Sequence, residues 1–212
     1  MKELFNMFIP AGYNAIKRTI KDDWLIDERV REIWSVSACM NGLKIDWINQ
    51  WMHNQYWHYN NIEDCKAVMK ICGYIEPYEI VYYEIYEMIY EMNTKTWDPI
   101  CFEKSFPTNV IAPDGKEFIG LDIVTNWAKS APECSPFSCN GLSTEVDINE
   151  YCLCNWNIDR LVMFISNYLG DIGEPGPYKI YKVYKIAQQG DAPETDSCRS
   201  CFSAATSRPG DL

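Results

Sequence analysis

Through the first half of the chain, apolar residues recur at three- and four-residue spacing, and that rhythm predicts helices. In DDWLIDERVREIWSVSACMNG, Leu25, Ile26, Val30, Ile33, Trp34 and Val36 form one stripe. Asp22 or Asp23 supplies an N-cap, and Asn41-Gly42 supplies a left-handed stop. A second helix is expected from about Asp46, carrying Trp47, Ile48, Trp51, Met52, Tyr56 and Trp57, and a third in IEDCKAVMKICGY, ending at Gly73. The fourth is PYEIVYYEIYEMIYEM, with Pro77 in the first turn and Val81, Ile85, Met88, Ile89 and Met92 as its stripe. Glu84, Glu87 and Glu91 fall on a neighbouring acidic face, and Tyr82, Tyr83, Tyr86 and Tyr90 fill the positions between. Tyr and Ile also favour sheets, but the sustained spacing predicts a helix here.

After Asn93 the pattern changes. Pro99, Pro107, Pro113 and the Asp114-Gly115 pair mark a loop-rich crossing segment. EFIGLDIVTNW reads as a buried strand, TEVDI as a short strand, and NIDRLVMFISNYLG as an amphipathic helix stopped by Gly170. YKIYKVYKI is a strand by composition, and Lys179, Lys182 and Lys185 predict a charge-guarded sheet edge. From Ala187 onward no periodic apolar face remains, so residues 187–212 are expected to be a mobile polar tail. The expected fold is α+β and a single domain over residues 1–186: a helical N-terminal half (1–93) packed on a small, largely antiparallel sheet (94–186).

Composition sharpens this. Of 212 residues, 47% are hydrophobic and 14% aromatic, which implies a packed core rather than disorder. A net charge of −11 argues against nucleic-acid backbones and anionic membranes, and favours a protein partner with a basic surface. The N-terminal segment has no signal-peptide core, and no apolar run is long enough to span a bilayer. A cytoplasmic protein with ten reduced or metal-bound cysteines is therefore expected.

Four cysteines crowd ECSPFSCNGLSTEVDINEYCLC. Cys134, Cys139, Cys152 and Cys154 could close a tetrahedral zinc site, since four thiolates suit that ion. The segment lacks C-x2-C knuckles, and a C-x-C pair in a strand places its sulfurs roughly 7 Å apart unless the chain bends. Buried core thiols are the favoured reading, with Cys152 and Cys154 facing the core and Leu153 packing elsewhere. No cofactor is expected, zinc being the alternative. Cys198 and Cys201 form a C-x-x-C in the polar tail, without the βαβ context of a redox pair.

Phosphate-binding loops, HExxH and GxSxG are absent from the sequence. The two histidines, His53 and His58, sit at the edge of an aromatic segment. That segment is the expected contact surface: Trp47, Trp51, Tyr56 and Trp57, joined by Glu84, Tyr86, Glu87 and Glu91 of the fourth helix. The function class that fits is an acidic protein–protein interaction module, with small inhibitors or immunity and anti-defence proteins that mask a basic site as the type. The alternatives are an enzyme with a pocket between the two halves, using Cys134, Cys139 or His58, and a zinc-stabilised structural protein.

Overall fold

The computed structural model describes residues 8–17, 19–20, 27–37, 53–71, 78–101, 107–126, 132–139, 141–169 and 176–187. A seven-stranded antiparallel sheet organises them. Its strands are β1 (Phe8–Lys17), β4 (Tyr78–Tyr86), β5 (Met88–Glu91), β6 (Thr96–Pro99), β7 (Lys116–Asn126), β8 (Pro132–Cys134) and β9 (Tyr178–Ile186). β2 (Thr19–Ile20) and β3 (Glu32–Ile33) form a separate two-stranded ladder. Two helices complete the set, α1 (Ile62–Ile71) and α2 (Ile158–Tyr168).

The expectation of a helical N-terminal half is overturned. Residues 78–91, expected to be the clearest helix, are β4 and β5, separated only at Glu87. Val81, Tyr83 and Ile85 are buried in one core cluster, whereas Tyr82 belongs to a second and Tyr86 and Tyr90 to a third. A strand covered on both faces has apolar residues at nearly every position, so it satisfies three- and four-residue spacing as readily as alternation. The β-branched and aromatic content then decides for the strand.

The first predicted helix, and the described end of the second, also give way. Within residues 22–42, the described part, 27–37, is a turn, β3 and extended chain. Residues 53–60 form turns rather than the end of a helix. Asn54 explains why. Its Oδ1 accepts from Tyr56 N (2.9 Å) and His58 N (3.2 Å), and its Nδ2 donates to Ala11 O (2.9 Å). Short amide side chains that bond the nearby backbone compete with helical hydrogen bonds. The turn then sits on β1 through reciprocal Tyr13–Tyr59 backbone bonds of 2.8 Å each. Gly12, at φ 124° in a β1 bulge, allows that approach, because a Cβ there would meet Tyr59 O and His58 Cβ.

β9 is a central strand and not an edge. It pairs with β4 and β5 on one side and with β7 on the other. Two of its lysines lie against rings and the third is buried, so none guards an edge. Lys182 Nζ is 4.1 Å from the Phe8 ring centre, Lys185 Nζ is 4.2 Å from that of Tyr151, and Lys179 is only 2% exposed. The predicted TEVDI strand is replaced by a 3-10 turn at Leu142–Thr144 and a single bridge between Ile148 and Cys154. β7, α1 and α2 lie where the sequence predicts them. The Gly73 stop and the tail beyond Ala187 fall outside the described residues.

Both faces of the sheet are covered. On one, Trp34, Val36, Tyr56 and Leu153 pack against Val81, Tyr83, Ile85, Val124, Tyr181 and Val183. On the other, Leu161, Ile165 and Leu169 join Phe137, Val146, Cys152 and Cys154 over Leu121, Ile123, Tyr178 and Ile180. α1 closes one corner, burying Cys65 and Val68 against Tyr13, Ala15, Tyr82 and Tyr184. Each buried aliphatic side chain contributes about 1.5–3 kcal/mol of hydrophobic stabilisation.

Candidate partner-binding groove

Where α1 begins, Asn61 caps it: Asn61 Oδ1 accepts from Asp64 N at 2.8 Å, and Asn61 Nδ2 donates to Asp64 Oδ2 at 2.8 Å. Glu63 and Asp64 occupy the first turn, where acids complement the helix dipole. The chain segment 109–115 is fastened alongside. Ile111 N donates to Asn60 O at 3.1 Å, Tyr13 OH donates to Ile111 O at 2.6 Å, and Ala187 N donates to Gly115 O at 3.3 Å. Between these supports lies a groove of about 390 Å³.

Its floor and walls are apolar, from Ile62, Ile111, Ala112, Pro113, Ile186 and Ala187, and Glu63 and Asp114 supply its charge. No lysine, arginine or histidine lines it. Burial, and secondarily the charge of Asp114, push the Tyr13 hydroxyl up to about 12, so this ring stays neutral. Ile111 is 64% exposed, an aliphatic side chain that the fold leaves in solvent at the mouth. An apolar slot with an anionic rim suits an amphipathic cation, whose stem is hydrophobic and whose head is charged.

The predicted contact residues lie elsewhere. Tyr56 and Tyr86 are buried at 7% and 4% exposure, and Trp57 is half-buried in a left-handed turn with φ 62°. Trp47 and Trp51 lie outside the described residues. Glu84 is engaged inside the molecule, where it forms an ion pair with Lys116 and accepts from Tyr184 OH at 2.6 Å. Glu87 and Glu91 are half-buried on β4–β5, so the acidic helix face expected from these three residues does not form. The groove was missed because Tyr13, Asn61, Asp114 and Ala187 are distant in sequence. Only the Asp114-Gly115 turn and the α1 N-terminus were locally legible.

The four clustered cysteines are packed rather than gathered. Cys152 and Cys154 sit in the core with α2, whereas Leu153 packs in the opposite cluster. The chain bends at Cys152, where φ is 60°. Cys152 Sγ donates to Phe137 O at 3.5 Å, and Cys154 Sγ accepts from Trp156 N at 3.3 Å. Cys134 and Cys139 are half-buried. Among the described residues, no three His, Cys, Asp or Glu side chains converge as a metal would need. Burial pushes the thiols of Cys152 and Cys154 up to about 12 and about 11, which keeps them protonated and unreactive.

Titratable groups also gather inside the sheet layer. The Asp122 carboxylate is 0% exposed and accepts from Ser35 Oγ (2.6 Å), Ser135 Oγ (2.6 Å) and Val36 N (2.9 Å). It thereby pins segments 35–37 and 135–139 onto β7. His58 Nδ1 donates to Tyr56 O at 2.6 Å, and its ring lies 4.9 Å from Tyr83 and 5.6 Å from Tyr181. Burial lowers the His58 imidazole to about 3, so it is neutral at physiological pH. This cluster is closed to solvent at every named member, which suits clamping better than turnover.

No helix among the described residues is long and apolar enough to cross a membrane. Comparison with known protein families, with curated proteins and with solved structures returned no match.

Proposed function

We propose that this chain is a cytoplasmic, acidic protein–protein interaction module that receives a basic side chain of its partner in the groove between α1 and segment 111–115. The observation that carries the reading is the groove's make-up: an aliphatic slot rimmed by Glu63 and Asp114, with no basic residue in its lining. A net charge of −11 adds long-range attraction for a basic partner and disfavours nucleic acid. A lysine or arginine from the partner would lay its methylenes on Ile62, Ile111 and Pro113 and bring its charge to the two carboxylates. Masking a basic functional site, as acidic inhibitors and immunity proteins do, is the task this chemistry serves.

The test is affinity capture from the native host with wild type and a Glu63→Lys/Asp114→Lys double variant in parallel. Both acids are exposed, so the variant should fold. The expected result is a partner retained by wild type, weakened by added salt, and lost at least about tenfold by the variant, as reversal of charge in an interface predicts. Equal retention by the two proteins would remove the groove from the account.

A further inference from the structure

Three buried polar atoms of one ring cluster have no hydrogen-bond partner among the described residues: Tyr83 OH on β4, Tyr181 OH on β9 and His58 Nε2 on the turn at 53–60. All three side chains are 0% exposed. Their rings are in contact, with His58 4.9 Å from Tyr83 and 5.6 Å from Tyr181, and Tyr83 edge-on to Tyr181 at 6.3 Å. Asp122 does not bond them. Its carboxylate serves Ser35, Ser135 and Val36, yet its charge acts on both hydroxyls, so both stand within electrostatic reach of one buried group. A buried polar atom left unpaired costs as much as a lost hydrogen bond or more, and three in one cluster call for an occupant.

The chemistry of these atoms narrows what can sit there. Because His58 Nδ1 donates to Tyr56 O at 2.6 Å, the neutral ring carries no proton on Nε2, which is therefore an acceptor. Burial, and then the charge of Asp122, push both phenols up, so both hydroxyls keep their protons and donate. The occupant must accept twice and donate once. Two protonated phenols and one imidazole are a poor set for a cation. An anion without a proton cannot donate to Nε2, and it would face the Asp122 carboxylate. Lys179, whose charge reaches His58, is itself pushed well below 10.5 by burial and does little for an anion. Water accepts two bonds and donates two, and it is the smallest molecule that does so. Buried waters occur about once per 27 residues, so a chain of 212 residues is expected to hold several.

We propose that an ordered water is built into the sheet layer of this protein, accepting from the Tyr83 and Tyr181 hydroxyls and donating to His58 Nε2. It joins β4, β9 and the 53–60 turn, which are far apart in the chain. That turn runs on through Asn60, whose carbonyl accepts from Ile111 N at 3.1 Å, to Asn61, the cap of α1. The water thereby anchors the same turn that fastens the groove, and it does so whether or not the groove binds a partner.

A high-resolution crystal structure of the full chain, together with urea unfolding of Tyr83→Phe and Tyr181→Phe, tests this. The expected density is a water within about 2.6–3.2 Å of both hydroxyls and of Nε2. Each Phe variant keeps the ring and removes one donor, so it should fold. It should also shift the unfolding equilibrium about threefold to tenfold towards the unfolded state, because a bonded hydroxyl has been lost. Were the hydroxyls truly unpaired, the same substitutions would be neutral or stabilising. A hydroxyl bonded directly to Nε2, an occupant other than water, or Phe variants at least as stable as wild type, overturns the proposal.

Discussion

Asp122 holds two segments to the central sheet with a single buried side chain, and removing it takes one acceptor from three donors. Asp122→Ala leaves the Ser135 hydroxyl and the Val36 amide without this acceptor, and leaves the Ser35 hydroxyl only Ser37 Oγ at 2.9 Å. The expected loss is about 2–4 kcal/mol of stability, read by urea denaturation at pH 7. A loss under about 0.5 kcal/mol would mean that the clamp is not formed. Acidity acts on the same region in two directions. Burial raises the Asp122 carboxyl to about 6 from 3.8, so the fold holds this proton more tightly than the unfolded chain does. Its contribution is complete below pH 3.8 and is lost as pH rises through 6. His53 and His58 behave oppositely: burial lowers them from 6.5 to about 4 and about 3, so their contribution is present above pH 6.5 and is lost on acidification. Two histidines outweigh one carboxyl, and stability should fall by on the order of 2 kcal/mol between pH 7 and pH 5. Denaturation midpoints that hold level or rise over that interval would contradict the burial of the two histidines. None of this is legible in the sequence, where Asp122 lies unmarked within an apolar strand and the histidines sit at the edge of an aromatic segment.

Elements were legible where one face is polar. α1 and α2 alternate core and solvent positions, so their apolar stripes pointed to helices and to the correct residues. β4 lacks that contrast, because Tyr82 and Tyr83 are both fully buried on opposite sides of the sheet. Its sequence then fits two periodicities, and burial by distant segments settles the matter. β9 differs for a related reason: lysine signals an edge only when its charge reaches water, and here Lys182 and Lys185 lie over Phe8, Trp34 and Tyr151 while Lys179 is buried. Cα chemical shifts across Tyr78–Tyr86 should accordingly be those of a strand, and helical shifts there would undo the sheet order. The bulges give a second check. Gly12 at φ 124° and Gly120 at φ 148° both let another segment cross close by, and a Cβ on Gly120 would lie 2.6 Å from Leu153 Cβ. Alanine at either position should cost more than about 2 kcal/mol, combining a disfavoured backbone angle with a clash, as thermal or urea unfolding can measure. Alanine tolerated at both would show that neither segment crosses there.

At the scale of the molecule, the sheet assembles what no local window contains. β1 contributes Tyr13, the α1 N-terminus Asn61 to Glu63, the crossing segment Ile111 to Gly115, and the end of β9 Ile186 with Ala187. The acidic charge that suggested a basic partner was evident from composition, but its placement depended on antiparallel pairings between strands far apart in the chain. The expected acidic helix face illustrates the difference: Glu84 serves an internal ion pair, while Glu63 and Asp114 take the outward role. In the proposed reading, charge names the kind of partner and topology names the place.

The most direct test puts a photo-crosslinking residue at Ile111, at the mouth of the groove, and maps the products by mass spectrometry from cells of the native host. The account predicts a crosslink into a lysine- or arginine-rich segment of one partner protein, abolished by Glu63→Lys/Asp114→Lys. Crosslinks that persist after the charge reversal, or no crosslinked protein at all, would contradict it.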